Sequence, residues 1–414
     1  MNIVIAGEFF FPEGSANASR VRYMARGLAE VGHSVYVISM IPLKAENGIT
    51  RGIWQSFRGI QYYLAGVPVV TNPKASLFSK VIDYFRVFRD GLYNGLECLD
   101  MLAQEKNIDA VIGYSYRYFS MNDLVKYCRK KQIIILRDVV EWFDPAFFRG
   151  GYLNPLYWDL ELNFHFSLPK SDGIIAISRF LTEKFSSLGI KVITTPAIID
   201  PDAFSLDAGE GIIPKSDFYQ LTYLGGMIER DGPILMMKGI HEVLMSGAEV
   251  FFNIVGTDGS KGYAAKAKKY AHNHPLLKHH VKFWGRVSDE EVVRRLAYSD
   301  ALIFIRLDSR DAKAAFPTRL PEYLMSGKPV ISSAVGDIPR YLIDGQEVIL
   351  LKQNNAHALA KGIKKLLAMP DKGRAIGQGG MKKCRQCFNY YTRCEEISAF
   401  IKELLSARHP KSID

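Results

Sequence analysis

Short, near-continuously apolar segments alternate with stretches of helical periodicity over almost the whole chain, and that alternation leaves few folds open. Asn2–Ala6 is such a segment, as expected of a parallel strand buried on both faces. A loop, GEFFFPEGSAN, follows it. The spacing of Val21, Met24, Ala25 and Leu28 then predicts a helix from about Asn17 that Gly32 stops. Val35–Ser39 reads as the next strand, so the chain opens on a βαβ unit. Further strands are expected at Ala110–Gly113, Ile133–Leu136 and Gly173–Ile177. The alternation breaks over residues 196–218, PAIIDPDAFSLDAGEGIIPKSDF, where three prolines and mixed polarity suit a linker. It restarts with strands expected at Leu221–Leu224, Val250–Val255, Val281–Trp284, Ala301–Arg306, Val330–Ser333 and Val348–Leu351, and closes on helices at 356–368 and about 394–406. Two such series predict an α/β protein of two doubly wound Rossmann-like domains facing each other across a cleft. The expected boundaries are 1–195, a linker over 196–218, and 219–393, with the last helix (about 394–414) packing back on the first domain. A length of 414 residues suits this, at about 150 residues per domain.

Composition removes several alternatives. The apolar start breaks at Gly7 and Glu8 with no basic region before it, unlike a secretory signal. No apolar run approaches the roughly 20 residues that span a bilayer, so a cytoplasmic protein is expected. Five cysteines are too few for a disulfide framework, and Cys384-x-x-Cys387 has only Cys394 near it, short of a four-ligand zinc site. Lysine and arginine number 53 against 43 acidic residues, for a net charge of +10. That excess implies a polyanionic partner. Without a zinc-finger spacing, an RNA-binding aromatic motif or a sustained basic helix, nucleic acid is not expected, which leaves a phosphate ligand or a lipid surface.

The strongest constellation is FPTRLPEYLMSGKPV, Phe316–Val330. It reads as a loop entering a helix at Thr318, leaving it at Gly327 and running into a strand. Thr318 suits an N-cap and Pro321 a first turn, and the free amides and positive dipole end would cradle a diphosphate. Arg319 adds a cation there, and Glu322 can accept hydrogen bonds from a ribose diol; a capped helix with Glu322 serving the dipole is the plain structural alternative. Residues 136–164, LRDVVEWFDPAFFRGGYLNPLYWDLELNF, follow a strand and mix acids with aromatics suited to stacking on sugars. Asp138 and Glu141 lie closest to that strand. Against catalysis stands the reading that these acids cap helices and the aromatics are core. There is no G-x-G-x-x-G after the first strand, which counts against a dinucleotide oxidoreductase.

The segment FPTRLPEYLMSGKPVISSAVGDIPRYLIDG resembles the donor-binding region of retaining GT-B-fold glycosyltransferases, the large group 1 (family 4) set that includes bacterial polysaccharide and lipopolysaccharide assembly enzymes. FFPEGSANASR resembles that family's N-terminal loop, GLAEVGHSVYVIS its first helix and second strand, SDGIIAISRFL the strand before the linker, and VKFWGRVSDEEVVRRLAYSDALIF the approach to the donor site. The resemblance implies transfer of a sugar from a nucleotide-diphosphate sugar to a saccharide or lipid-linked saccharide, with retention and without a metal or other cofactor. It implies donor contacts at Pro317, Thr318, Arg319, Leu320 and Glu322, at Gly14 and Ser15 in the loop after the first strand, and at Arg230 in YLGGMIERDGP. Arg286, in FWGRV, is a fallback cation. The resemblance also places a residue near the transferred sugar in the region of Asp138 and Glu141. The chain departs from the family twice: Ala314 falls where a first glutamate often stands, and Gly226 where a phosphate-binding arginine often stands.

The single D-x-D, Asp200-Pro201-Asp202, falls in the linker and reads as a turn rather than a metal site. SKVIDYFRVFRDGLY, residues 79–93, fits either a core-packing amphipathic helix or one lying on an anionic inner membrane face. A nucleotide-sugar epimerase on the same fold and a non-catalytic nucleotide-sugar or polyanion-binding module remain the alternatives to a transferase.

Overall fold

The computed structural model describes residues 1–14, 16–44, 50–69, 77–115, 117–202, 217–259 and 261–408. Contacts divide the chain into two compact units, Met1–Ile198 with Tyr390–Asp414, and Ile199–Asn389. Of the expected linker, residues 203–216 lie outside the described residues.

The first unit runs β1 (Asn2–Gly7), α1 (Ala16–Glu30), β2 (Ser34–Ser39), β3 (Leu43–Lys44), β4 (Trp54–Phe57), β5 (Ile60–Leu64), β6 (Pro68–Val69), α2 (Leu77–Glu105), β7 (Ala110–Tyr114), α3 (Tyr118–Lys130), β8 (Ile134–Val139), α4 (Pro155–Leu162), β9 (Gly173–Ala176), α5 (Arg179–Ser186) and β10 (Val192–Thr194). One sheet has the order β10-β9-β8-β7-β1-β2-β5-β4, parallel except where β4 meets β5. β7, β8 and β9 are buried at every residue because helices cover both faces, which suits the apolar sequences of β7 and β9; β8 buries Arg137 and Asp138 as well. The order reverses at β1, which pairs with β2 on one side and β7 on the other. Connections therefore leave β1 and β7 toward opposite faces, and a crevice opens at their carboxyl ends. Gly7 closes that end: its φ is +154°, and a Cβ there would lie 2.0 Å from the Tyr114 carbonyl oxygen.

The second unit runs β11 (Tyr219–Leu224), α6 (Pro233–Leu244), β12 (Val250–Val255), α7 (Lys261–Asn273), α8 (Pro275–His280), β13 (Val281–Gly285), α9 (Asp289–Tyr298), β14 (Ala301–Phe304), α10 (Arg310–Ala314), α11 (Arg319–Met325), β15 (Val330–Ser333), α12 (Ile338–Tyr341), β16 (Ile349–Leu351), α13 (Ala356–Ala368) and α14 (Pro370–Cys387). Its sheet, β13-β12-β11-β14-β15-β16, is wholly parallel and reverses between β11 and β14. Met236, Met237 and Ile240 of α6 and Leu359 and Ile363 of α13 pack with Leu221, Phe252 and Ile331 in its core. α15 (Tyr390–Arg408) belongs to the first unit, where Tyr390 donates to Glu30 at 2.6 Å and Ser398 meets His33 at 2.7 Å.

One local expectation needs correction, one element was unforeseen, and one expected helix is only partly described. β8 runs to Val139, so Asp138 is a strand residue and not part of the loop beyond it. The β4–β5 hairpin was not anticipated; its turn puts Arg58 and Gly59 at φ 49° and 82°, which suits the twist of a two-residue hairpin loop. Helix α2 contains the 79–93 segment, but the side chains of 77–82 and 84 lie outside the description; Phe85, Arg86 and Arg89 are exposed.

One buried ion pair ties the first unit together across long sequence separations. From α1, Arg20 donates through Nε to Asp138 Oδ2 at 2.7 Å and through Nη2 to Oδ1 at 2.9 Å. It also reaches the Pro196 carbonyl at 2.8 Å and the Thr195 carbonyl at 3.2 Å, where the chain leaves β10. Breaking such a pair from one side strands a buried charge, at a cost of about 3–5 kcal/mol, whereas apolar replacement of both partners is far milder. Arg20→Met should therefore lower stability to urea by roughly that amount, and Arg20→Met/Asp138→Leu by less. A double variant as unstable as the single one would contradict the assignment.

Candidate active site

In the second unit, charge gathers where the sheet order reverses. The turn after β11 carries Arg230 and Asp231, and the chain after β14 carries Arg306 and leads into α10 with Asp311. The backbone joins the two loops, the Leu307 N–H donating to the Arg230 carbonyl at 2.8 Å. Arg230 Nη1 donates to Asp311 Oδ2 at 2.7 Å, and Ser309 Oγ to Asp311 Oδ1 at 2.5 Å. Burial alone would push the Asp311 carboxyl up; the bonds from Ser309 and Arg230 outweigh it and hold the group below the usual carboxylate range. Asp231, also buried, lies 3.5 Å from Arg306 Nη2 and takes the Tyr223 hydroxyl at 3.0 Å. Among the described residues the buried Arg306 Nε–H and Asn354 Oδ1 have no hydrogen-bond partner, although the Asn354 amide donates to the Arg306 carbonyl at 2.6 Å. Arg230, called from the sequence, thus stands at the reversal point. Asp231, Arg306 and Asp311 were missed, because only the strand order shows that the ends of β11 and β14 adjoin.

Helix α11 is anchored to the same place. The Tyr323 hydroxyl, fully buried, accepts from the Leu224 N–H at 2.5 Å and lies 3.3 Å from the Leu224 carbonyl, which fixes the helix to the end of β11. Pro317 and Leu320 are buried at the entry, and the Leu320 N–H donates to the Pro317 carbonyl at 3.2 Å. Thr318 is the N-cap by position only. Its dihedrals are already helical and its side chain makes no capping bond, because the Pro317 turn delivers the chain in helical form. Arg319 Nη1 donates to Glu322 Oε2 at 2.6 Å, so the carboxylate expected to hold ribose already carries a half-exposed cation partner. Arg286 is exposed in the turn after β13. β13 is the edge strand, two places from β11, and the sheet order separates Arg286 from Arg230.

The first unit has a corresponding cluster beside β1 and β7. Glu8, immediately after β1, accepts from Ser120 at 2.6 Å and Ser115 at 3.0 Å and lies 3.2 Å from Arg117 Nε. Burial dominates these favourable partners and raises the Glu8 carboxyl above its ordinary value. Arg117 also approaches Asp159, at 3.9 Å. Beside them Arg137, wholly buried, donates to the Ser115 carbonyl at 3.1 Å, Asn163 Oδ1 at 3.3 Å and Ser167 Oγ at 3.3 Å. Its Nε has no hydrogen-bond partner among the described residues, and desolvation brings its pKa down to about 9.

A pocket at the carboxyl ends of β7 and β8 is lined by Ser115, Asp138, Glu141, Trp142, Glu161 and Asn163. Trp142 stacks on Phe164 with centroids 4.1 Å apart and donates to Glu161 at 3.0 Å. Both expected acids therefore line one pocket, and both carboxylate oxygens of Asp138 accept hydrogen bonds from Arg20. Gly14 is exposed in the loop after β1 at φ +153°, where a Cβ would lie 2.7 Å from Phe10 Cβ. Ser15 lies outside the described residues. Asp200 and Asp202 form a turn, with Asp200 accepting from the Asp202 N–H at 3.0 Å and Asp202 paired with Arg385 at 3.0 Å.

Residues 212–383 match the sequence family described as Glycosyl transferases group 1. A D-rhamnosyltransferase, WbpZ of Pseudomonas aeruginosa, is 30% identical over 38% of this chain and 40% of its own length, so the match spans well under half of that relative. Among solved structures, sucrose-phosphate synthase from Thermosynechococcus elongatus superposes with a TM-score of 0.71 at 17% identity, covering 98% of this chain and 99% of that one. WaaG, a glycosyltransferase involved in lipopolysaccharide biosynthesis, gives 0.61 at 14% identity, covering 96% and 99%. These likenesses identify the fold as GT-B, two Rossmann-like parallel-sheet domains.

The Glu8 cluster generates a pH test. A carboxyl whose folded pKa is raised favours the folded state below its ordinary value near 4.5, and that contribution is lost as pH rises through the raised value. Glu8→Gln keeps the shape and an acceptor but removes the titration. The melting temperature of the variant should gain on the wild type as pH is raised from about 4 to 8, and a constant difference would refute the burial argument.

Proposed function

From a glycosyl transferases group 1 domain on a GT-B scaffold, we propose that this protein moves a sugar from a nucleotide-diphosphate sugar to a saccharide or lipid-linked saccharide in surface polysaccharide assembly. The observation that carries the reading is the gathering of Arg230, Arg306 and Asp311 at the sheet reversal of the matched domain, beside the entry of α11. The donor diphosphate takes Arg230 and Arg306, the Thr318 and Arg319 amides at the helix entry, and the Arg319 side chain. Glu322 exchanges its half-exposed arginine contact for the ribose diol, an exchange that costs little because exposed ion pairs are worth only about 0–1 kcal/mol. Charge on the diphosphate grows as it departs, and cations already held in place stabilise it without reorganising.

The sugar is transferred with retention by front-face attack: the acceptor hydroxyl attacks the anomeric carbon and gives its proton to the departing phosphate. No protein nucleophile and no metal is required. The acceptor sugar lies against Trp142 in the first unit's pocket, with Glu141 accepting from its hydroxyls. The basic excess suits the phosphate donor and, for a lipid-linked acceptor, a peripheral position at the inner membrane face.

Arg230→Ala should weaken binding of a nucleoside diphosphate much more than of the free nucleoside, and should lower turnover as well. Glu322→Gln removes a charged acceptor worth about 1.5–3 kcal/mol and should reduce donor affinity roughly tenfold or more. Titration calorimetry on variants with wild-type melting temperatures checks both, and survival of turnover in EDTA checks the metal. Variants that bind donor like wild type would end this account of the site.

A further inference from the structure

The first unit exposes apolar side chains where a soluble surface would bury them or carry charge. α4 continues through a π-helical turn, Asn163–Ser167, and along this run Trp158, Leu162 and Phe166 face solvent at four-residue intervals. Trp158 is 51% exposed and Phe166 57%. Leu153, in the turn that precedes α4, is 90% exposed, and the Trp158 indole holds that turn to the helix by donating to the Tyr152 carbonyl at 2.8 Å. α3 adds Phe119, 67% exposed. It is tied alongside by the Tyr118 N–H, which donates to Asp159 at 3.2 Å, and by Arg129, which donates to the Lys170 carbonyl at 2.8 Å.

Charge on this run is sorted by sign. Its acids turn inward: Asp159 toward Tyr118 and Arg117, and Glu161, buried, toward Trp142. Its cations stay outside, with Arg149 before α4, Lys170 after it, and Arg129 beside Lys170, all exposed. A surface that offers tryptophan, leucine and phenylalanine between cations, with its carboxylates withdrawn, matches a bilayer interface rich in anionic headgroups. It suits a second copy of this chain poorly, since a two-fold contact would set the same cations against each other in a protein already carrying +10.

We propose that this face, from Leu153 through Phe166 and flanked by Arg149 and Lys170, docks the protein on an anionic lipid surface, in place of the 79–93 segment of α2. The inference extends the lipid-linked acceptor reading, but vesicle binding is measured without turnover, so either can fail alone.

The test is cosedimentation of the full chain with phosphatidylcholine vesicles with and without phosphatidylglycerol. Wild type should sediment with the anionic vesicles and stay in solution with the neutral ones. Leu153→Ser/Trp158→Ser/Phe166→Ser and, separately, Arg149→Ser/Lys170→Ser should each weaken binding roughly tenfold or more at unchanged melting temperature. Phe85→Ser/Arg86→Ser/Arg89→Ser should bind like wild type. The proposal is overturned if wild type ignores anionic vesicles, or if the α2 variant loses binding while the face variants keep it. It is equally overturned if sedimentation velocity shows that the serine changes abolish self-association instead.

Discussion

In each unit the strand order reverses beside the first strand, and the rest of the architecture follows from that. Parallel strands put all their carboxyl ends on one edge, and the reversal sends two neighbouring connections to opposite faces. At that point backbone alone cannot fill the crevice, and side chains from distant parts of the sequence must. In the first unit they are Glu8, Ser115 and Arg117; in the second, Arg230, Arg306 and Asp311. Both crevices collect charge, but of different kinds. One centres on a buried carboxyl held above its ordinary pKa, the other on arginines balanced by a carboxyl held below it.

The charged groups of the second unit hold one another in place. Asp311 fixes one end of the Arg230 guanidinium, Asp231 lies against Arg306, and Tyr323 locks α11 to β11. A cation that is already oriented loses less entropy on binding an anion than a free arginine would, which favours a diphosphate whose charge grows during reaction. Arg20 and Asp138 show the opposite use of an ion pair. That pair is buried, and what it secures is the exit of the chain from β10.

Much of this was legible in the sequence because the strands are buried on both faces and so read as mostly apolar runs; the predicted Val250–Val255 and Val330–Ser333 coincide with observed strands. The β4–β5 hairpin was not legible, since its residues are half-buried at the sheet edge and carry no clean alternation. The site was legible only in part. FPTRLPE carries its own chemistry in consecutive residues, whereas Arg230–Asp311 is a contact across 81 positions and Arg20–Asp138 one across 118. Asp138 was misread for the same reason: a carboxylate after an apolar run looks available until the arginine that occupies it is located in space.

The central claim is that a nucleoside diphosphate binds at the reversal point of the second unit. Amide hydrogen exchange of the full chain, with and without uridine diphosphate and then guanosine diphosphate, tests it most directly. The account predicts slowed exchange in peptides covering 224–232 and 305–322, with 133–163 and 281–288 unchanged. Slowing confined to the first unit, or to the edge around Arg286, would contradict it.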